Sequence, residues 1–463
     1  MTSAADLLAD PYFPRLKALV IHVTGMAFYA DKDADLALIV ADRMDHCAIE
    51  SCAAYLERLQ GDGEEMDSLV AELTIGETYF FRHKEQFDAL REIILPDILA
   101  RNASSRRLRI WSAGCATGPE PYTLAILLKR EFGAQMLGWH VSILGTDINQ
   151  KFLARARDGR YDQWAFRATP DNIRHDCFIP VGKQWQIKPE YKAMVSFQYH
   201  NLTRNRFPSI TDNIAGFDII ICRNVVIYFS HETVEALVPC FRESLTDGGW
   251  LVMGHAEPNM ELFRSFRTVN CPGAVLYQRV DGDVPEAPPP SPRPPPRPPG
   301  PATRPAKSSP KPKPPVRPSA APAKTAPVAV AASQPLSEVR SLADQGKWDD
   351  ALRACDAVLS GDALNWRPHY LRALILDQMG DKEACEAALR RAIYLDRRAA
   401  LPHYHLGLFL QRAEETEAAR RSFRNVLTLL EHQPDDMLVD EGEDLDAGQL
   451  RETVGMHMKL IGM

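Results

Sequence analysis

At 463 residues, with 45% hydrophobic and 25% charged side chains, the chain has the composition of a globular protein of about two to four domains. Its net charge of −7 conceals an asymmetry: residues 287–335 hold eight basic and no acidic side chains, leaving about −15 on the rest, which is not the basic folded face that nucleic-acid binding requires. No run approaches the ~20 apolar residues of a bilayer span, and nine cysteines without a C-x-x-C pair speak against a zinc site or a disulfide framework.

The opening MTSAADLLADPYFPRLK places two acids before its first base and has no signal-peptide pattern, so a cytoplasmic location without membrane insertion is expected. Residues 1–84 read as a small all-α domain. Leu16, Leu19 and Val20, Leu36, Ile39 and Val40, Leu56 and Leu59, and Leu69, Val70 and Leu73 recur at helical spacing. From Leu108 the rhythm changes. The apolar runs LRIWSAG, VSILGTDI, FDIIICRN and WLVMGHA alternate with segments such as PYTLAILLKREF and HETVEALVPCFRESL, and VSFQY and VLYQRV supply further strands. Buried strands alternating with helices predict a doubly wound, Rossmann-like α/β domain over residues 85–283. Whether Tyr161–Val195 form a β-subdomain is left open by the pattern.

Residues 284–335 are dense in proline, which removes amide donors and fixes φ. A disordered linker is expected, about 150 Å long at full extension of ~3.1 Å per residue, allowing independent motion of what it joins. P-x-x-P matches within it also suit an SH3-type ligand. Beyond it, Pro368-His369-Tyr370 returns 34 residues later as Pro402-His403-Tyr404, and Ala351, Cys385 and Ala419 keep the same period. Small residues at that spacing mark tetratricopeptide repeats, an α-solenoid over 336–431 that binds proteins, followed over 432–463 by an acidic segment and a closing helix.

Ligands of open α/β sheets bind beyond the carboxyl ends of the strands. The first strand ends in Ser112-Ala113-Gly114-Cys115-Ala116-Thr117-Gly118, followed by Pro119-Glu120-Pro121, and the second ends in Gly145-Thr146-Asp147. A glycine-rich turn and an acid at the next strand tip suit a nucleoside. Dinucleotide sites need G-x-G-x-x-G, whereas here Ala116 occupies the middle position and Glu120 would repel a pyrophosphate. S-adenosyl-L-methionine has no phosphate and carries two cationic groups, so it is the better fit.

With Thr78-Tyr79-Phe80-Phe81-Arg82, the Ser112–Tyr122 block, Asp147, Asn201-Leu202, Cys222 to Phe229 and Gly254-His255 in this order, the chain resembles the CheR-type chemoreceptor glutamate O-methyltransferases over roughly residues 10–280, and a subset of that family has C-terminal tetratricopeptide repeats. The resemblance implies S-adenosyl-L-methionine bound by Thr78, Arg82, Glu120, Asp147, Asn201, Leu202, Arg223 and Asn224. It implies that Arg82 and Tyr228 stand nearest the transferred methyl group and that the substrate is a chemoreceptor-like protein; no metal site is expected from the cysteine pattern, and the repeats should take a further protein partner.

Plainer readings stand beside these. Arg82 and Asp147 suit helix caps, Glu120 a helix dipole, Asn201 a turn, Tyr228 a core position and His255 a structural histidine, while Cys115 and Cys222 suit small apolar fillers. The family often has Glu at Pro119 and Asn at Gly76. Its arginine-rich docking helix corresponds here to Asp35–Ile49, with Arg43 among acids, and residues 1–75 hold fourteen acids against five bases, so a different docking mode is expected. The rivals are a repeat scaffold with a silent methyltransferase fold, and a methyltransferase for a non-receptor acceptor.

Overall fold

The computed structural model describes residues 3–257, 259–281, 336–441 and 445–462; the proline-rich segment expected as a linker lies outside them. The first helices are Ala4–Ala9, Phe13–Thr24, Asp33–His46, Cys52–Gly61 and Gly63–Leu73. Side-chain caps by Ser3, Ser51 and Asp62 start three of them, and Leu7, Leu16, Val20, Leu36, Val40, Tyr55 and Leu69 form their common core. Arg43 binds Glu65 through Nε (3.1 Å) and Nη2 (2.6 Å), and the Tyr55 hydroxyl donates to the same carboxylate at 2.7 Å. The arginine that aligns with the family's docking helix is therefore committed to an internal ion pair.

The strands are β1 (Arg107–Ala113), β2 (His140–Asp147), β3 (Arg160–Tyr161), β4 (Phe178–Val181), β5 (Gln184–Ile187), β6 (Val195–Tyr199), β7 (Phe217–Cys222), β8 (Leu245–Met253), β9 (Arg267–Cys271) and β10 (Ala274–Gln278). Seven of them form a sheet in the order β6-β2-β1-β7-β8-β10-β9. The first five in that order run parallel, and β10 and β9 close the edge antiparallel. β1 and β7 are buried along almost their whole length, as strands covered by helices on both faces must be. The question left open over Tyr161–Val195 is answered by a separate antiparallel sheet, β3-β5-β4.

Six helices after the proline-rich segment pair up: Leu336–Asp344 with Trp348–Gly361, Trp366–Met379 with Lys382–Leu395, and Ala400–Arg412 with Thr416–Leu430, followed by Ala447–Gly462. Gly407 shows why the period needs small residues, since a Cβ there would lie 2.5 Å from the Phe423 ring of the partner helix.

The independent motion expected of this domain is not what the structure contains. The repeats pack on the catalytic domain at the amino ends of its strands. Ile210 and Ala215, in the loop from β6 to β7, belong to the hydrophobic core of the repeats. The Ile210 amide donates to Asp344 Oδ1 at 2.7 Å, and Arg109 of β1, buried and stacked 4.9 Å from the centre of the Phe217 ring, donates to Gln378 Oε1. Gly216 (φ +62) meets Gly346 (φ +72) so closely that a Cβ on Gly216 would lie 2.8 Å from Gly346 Cα and 2.3 Å from the Trp348 ring. At the far end, Lys459 of the closing helix pairs with Glu64 of the first domain at 2.6 Å. Proline content describes a tether, but buried contact between the bodies it joins decides whether they move apart.

Candidate cofactor and acceptor site

Register places four loops at one edge of the sheet. Ala113 pairs with Thr146 and with Cys222, and Cys222 with Met253, so the turns after β1, β2, β7 and β8 emerge side by side. Strand order reverses between β1 and β7, which makes this the switch point where a crevice opens. The turn after β1 takes left-handed backbone at Gly114 (φ +75), Ala116 (φ +48) and Gly118 (φ +93). At Gly114 a side chain is excluded twice over, because a Cβ would also lie 2.3 Å from Val225 Cγ2. Pro119 then opens a buried helix at its first position, where a missing N–H costs nothing.

Asp147 is not the cap of the next helix, which is Asn149, whose side chain accepts from Phe152 N at 3.1 Å. Instead, Asp147 Oδ2 accepts from Ala116 N and Oδ1 from Asn149 N, both at 2.8 Å, tying the first two turns together. Burial pushes its carboxyl up to about 6, against the pull of these amides. Glu120 is more than a dipole partner: it accepts from Ser112 Oγ at 2.7 Å and from Arg223 Nη1 at 3.1 Å. Burial raises its pKa too, with Arg223 opposing.

Arg223 also donates through Nη2 to the Arg82 carbonyl, joining this cluster to the segment before the helix Lys84–Ala89. Arg82 Nη1 donates to the Glu77 carbonyl at 2.6 Å, its guanidinium lies 5.7 Å from the centre of the Tyr79 ring, and it forms no ion pair with a carboxylate among the described residues. Tyr228 stands half-buried on the helical turn Val226–Tyr228, edge-on to Phe28 at 5.6 Å, so it both touches the first domain's core and faces Arg82 electrostatically. Asn201 is a turn former, as its plainer reading held: Oδ1 accepts from Thr203 N at 3.0 Å, while Nδ2 reaches Val23 O at 2.7 Å and fastens the helical domain. Leu202 is buried in the core beside β7, and Thr78 is half-buried before Phe80. The structure thus gathers Arg82, Glu120, Arg223, Asn224 and Tyr228 closely. It brings Asp147 in through the Ala116 turn and keeps the Asn201 side chain on structural duty. His255 stacks on His83 with ring centres 5.5 Å apart.

Two residues given no role by the motifs hold the site. Ser112, read only as part of the first turn, anchors Glu120. Glu257, a lone acid after β8, accepts from the amides of Asn224, Val225 and Gly254 at 3.1, 2.9 and 2.6 Å. Their signal is weak because neither lies at a spacing tied to a ligand.

Arg223 Nε is buried without a partner among the described residues, beside the Glu120 carboxylate, which favours a cation. A ligand carrying both an ammonium and a carboxylate fits these groups, and a pyrophosphate beside Glu120 does not. The fold and the site together define an S-adenosylmethionine-dependent methyltransferase.

Sequence comparison agrees. Residues 76–275 match the CheR methyltransferase SAM-binding domain, and residues 367–398 match a tetratricopeptide repeat. A chemotaxis protein methyltransferase of Listeria monocytogenes is 35% identical over 203 residues, 44% of this chain and 73% of that protein. Chemotaxis protein methyltransferase 1 of Pseudomonas aeruginosa is 30% identical over 276 residues, 58% of this chain and 98% of that protein. A probable biofilm formation methyltransferase of the same species, WspC, is 27% identical over 389 residues, 82% of this chain and 90% of that protein. The chain belongs to the CheR methyltransferase family, with S-adenosyl-L-methionine as cofactor and repeats at its C-terminal side. Among the described residues no helix is long and apolar enough to cross a membrane.

Proposed function

We propose that the chain methylates glutamate side-chain carboxylates of a chemoreceptor-like signalling protein, forming methyl esters. In this reading residues 1–84 and 85–283 build the enzyme, and 336–431 and 432–463 are a repeat domain that takes a further protein partner. The observation that carries the proposal is Arg82: a guanidinium at the pocket, held by a carbonyl and a ring, with no acidic partner of its own. Such a group receives a carboxylate through paired N–H donors.

When bound, S-adenosylmethionine supplies an activated methyl group on a sulfonium. Glu120 and Arg223 would hold its amino-acid end, Asp147 its ribose, and Thr78, Asn224 and the backbone at Asn201 and Leu202 the walls. A glutamate of pKa about 4.3 is already ionised at neutral pH, so no general base is needed. The protein's work is alignment: Arg82 orients the incoming carboxylate, Tyr228 limits its angle, and the helical domain beside Tyr228 excludes water. Positioning of this kind is worth up to about 7–11 kcal/mol.

The test is transfer of radiolabel from S-adenosylmethionine to a protein in a lysate of the host. Label released by mild alkali, and lost in Arg82→Ala and Asp147→Ala, supports the proposal. Absence of protein label with cofactor binding intact refutes it.

A further inference from the structure

We infer that Glu257 is a positioning residue, whose carboxylate clamps the ends of β7 and β8 and thereby fixes Arg223, Asn224 and Tyr228 in one arrangement. The pairing of these two strands ends at Cys222 and Met253. Beyond that pair the ladder stops although the strand ends stay close, and the next amides would be left without carbonyl partners. Glu257 supplies the acceptors instead: Oε2 takes Asn224 N and Gly254 N, and Oε1 takes Val225 N.

The clamp also explains two local features. Asn224 adopts left-handed backbone (φ +59), a conformation disfavoured for a residue with a Cβ, which the grip on its amide stabilises. A Cβ on Gly254 would lie 2.4 Å from Glu257 Oε2 and 2.8 Å from Asn224 N, so only glycine lets the end of β8 come this close. From Val225 the constraint passes directly to Tyr228, whose amide donates to the Val225 carbonyl at 3.2 Å. Arg223 lies immediately before the clamped amides, and its guanidinium spans the distance to Glu120.

An ionised carboxylate only accepts, which is what a set of three N–H groups requires. Glutamine of the same length would turn an NH2 group against one of these donors. Aspartate keeps the charge but reaches less far.

The inference rests on the assignment of Arg223 and Asn224 to the cofactor site, so the experiment carries a control for it. Binding of S-adenosylmethionine to the full chain is measured by calorimetry for the unsubstituted protein, Glu257→Gln, Glu257→Asp and Arg223→Ala. Glu257→Gln should weaken binding at least tenfold without unfolding the protein, with Glu257→Asp between the two. Unchanged affinity in a folded Glu257→Gln, while Arg223→Ala is impaired, overturns the clamp alone. Unchanged affinity in Arg223→Ala overturns the site assignment and the clamp with it. Glu257→Asp no better than Glu257→Gln refutes the role of the charge. Should Glu257→Gln not fold, amide exchange in the unsubstituted chain decides: cofactor must slow exchange over residues 222–228, and no change overturns the inference.

Discussion

Replacing Gln378 by alanine should loosen the repeats from the catalytic domain while leaving the cofactor pocket untouched. The Gln378 oxygen accepts from the guanidinium of Arg109, a cation so deeply buried that its pKa is lowered to about 10. The other direct polar partner of that guanidinium is Asn213, with Oδ1 at 3.2 Å from Nη2. A hydrogen bond to a charged group is worth about 1.5–3 kcal/mol, and in the variant the buried N–H would go unmet. The docked arrangement should therefore weaken about 10- to 150-fold. The reporter is the Ile210 amide, whose acceptor Asp344 belongs to the first repeat, so its protection requires docking. Hydrogen exchange over residues 207–216 should be slow in the unsubstituted chain and faster by that factor in Gln378→Ala, with strands β1 and β7 unaffected. An Ile210 amide exchanging as fast as an exposed one in the unsubstituted chain would refute the docking argument. Equal exchange in the two proteins would refute the role of the Arg109–Gln378 contact.

Three further outcomes follow from the same geometry. Burial holds Asp147 at about 6, so above that pH the folded protein carries it ionised at a cost in stability, and this penalty disappears as pH falls from 6 towards the ordinary 3.8. If Asp147 accepts from the ribose, cofactor affinity should drop as pH falls through 6, and Asp147→Asn should flatten that limb of a binding titration; an unchanged limb would exclude Asp147 as its source. Gly76→Asn, the family's common residue, should destabilise by about 1–3 kcal/mol, because a Cβ there lies 2.4 Å from the Phe152 ring, and adding Phe152→Ala should restore part of the melting temperature. Arg43→Ala should cost about 3 kcal/mol by leaving Glu65 in the helical core without its cation, read as a lower melting temperature; an unaffected melt would mean that the Tyr55 hydroxyl and Cys47 thiol satisfy the carboxylate.

What could be read from the sequence follows from the range of the interactions involved. The parallel strands were legible because burial on both faces writes continuous apolar runs such as FDIIIC. β9 and the small sheet were not, since β3 is two residues long and three of the four residues of β4 face solvent, which leaves no periodic signature. The repeats declared themselves through small residues at a fixed period. Their docking did not, because it depends on Gly216, Trp348 and Gln378, residues far apart in the chain with no pattern linking them. At the site, residues within motifs came through. The departure at Gly76 looked like the loss of a polar group and is instead one half of a packing exchange with Phe152.

The face that the repeats turn towards the catalytic domain is already taken by the chain itself. Asp212 of the β6–β7 loop lies near the phenols of Tyr370 and Tyr404, equivalent positions of successive repeats, and Ile210 is inserted in their core. A tethered ligand of this kind acts at an effective concentration of order millimolar. A free peptide seeking the same face must compete with that, and wins only where its concentration divided by its dissociation constant exceeds the same ratio for the loop. Any protein that binds this face must displace an internal occupant, and the loop's affinity sets the threshold.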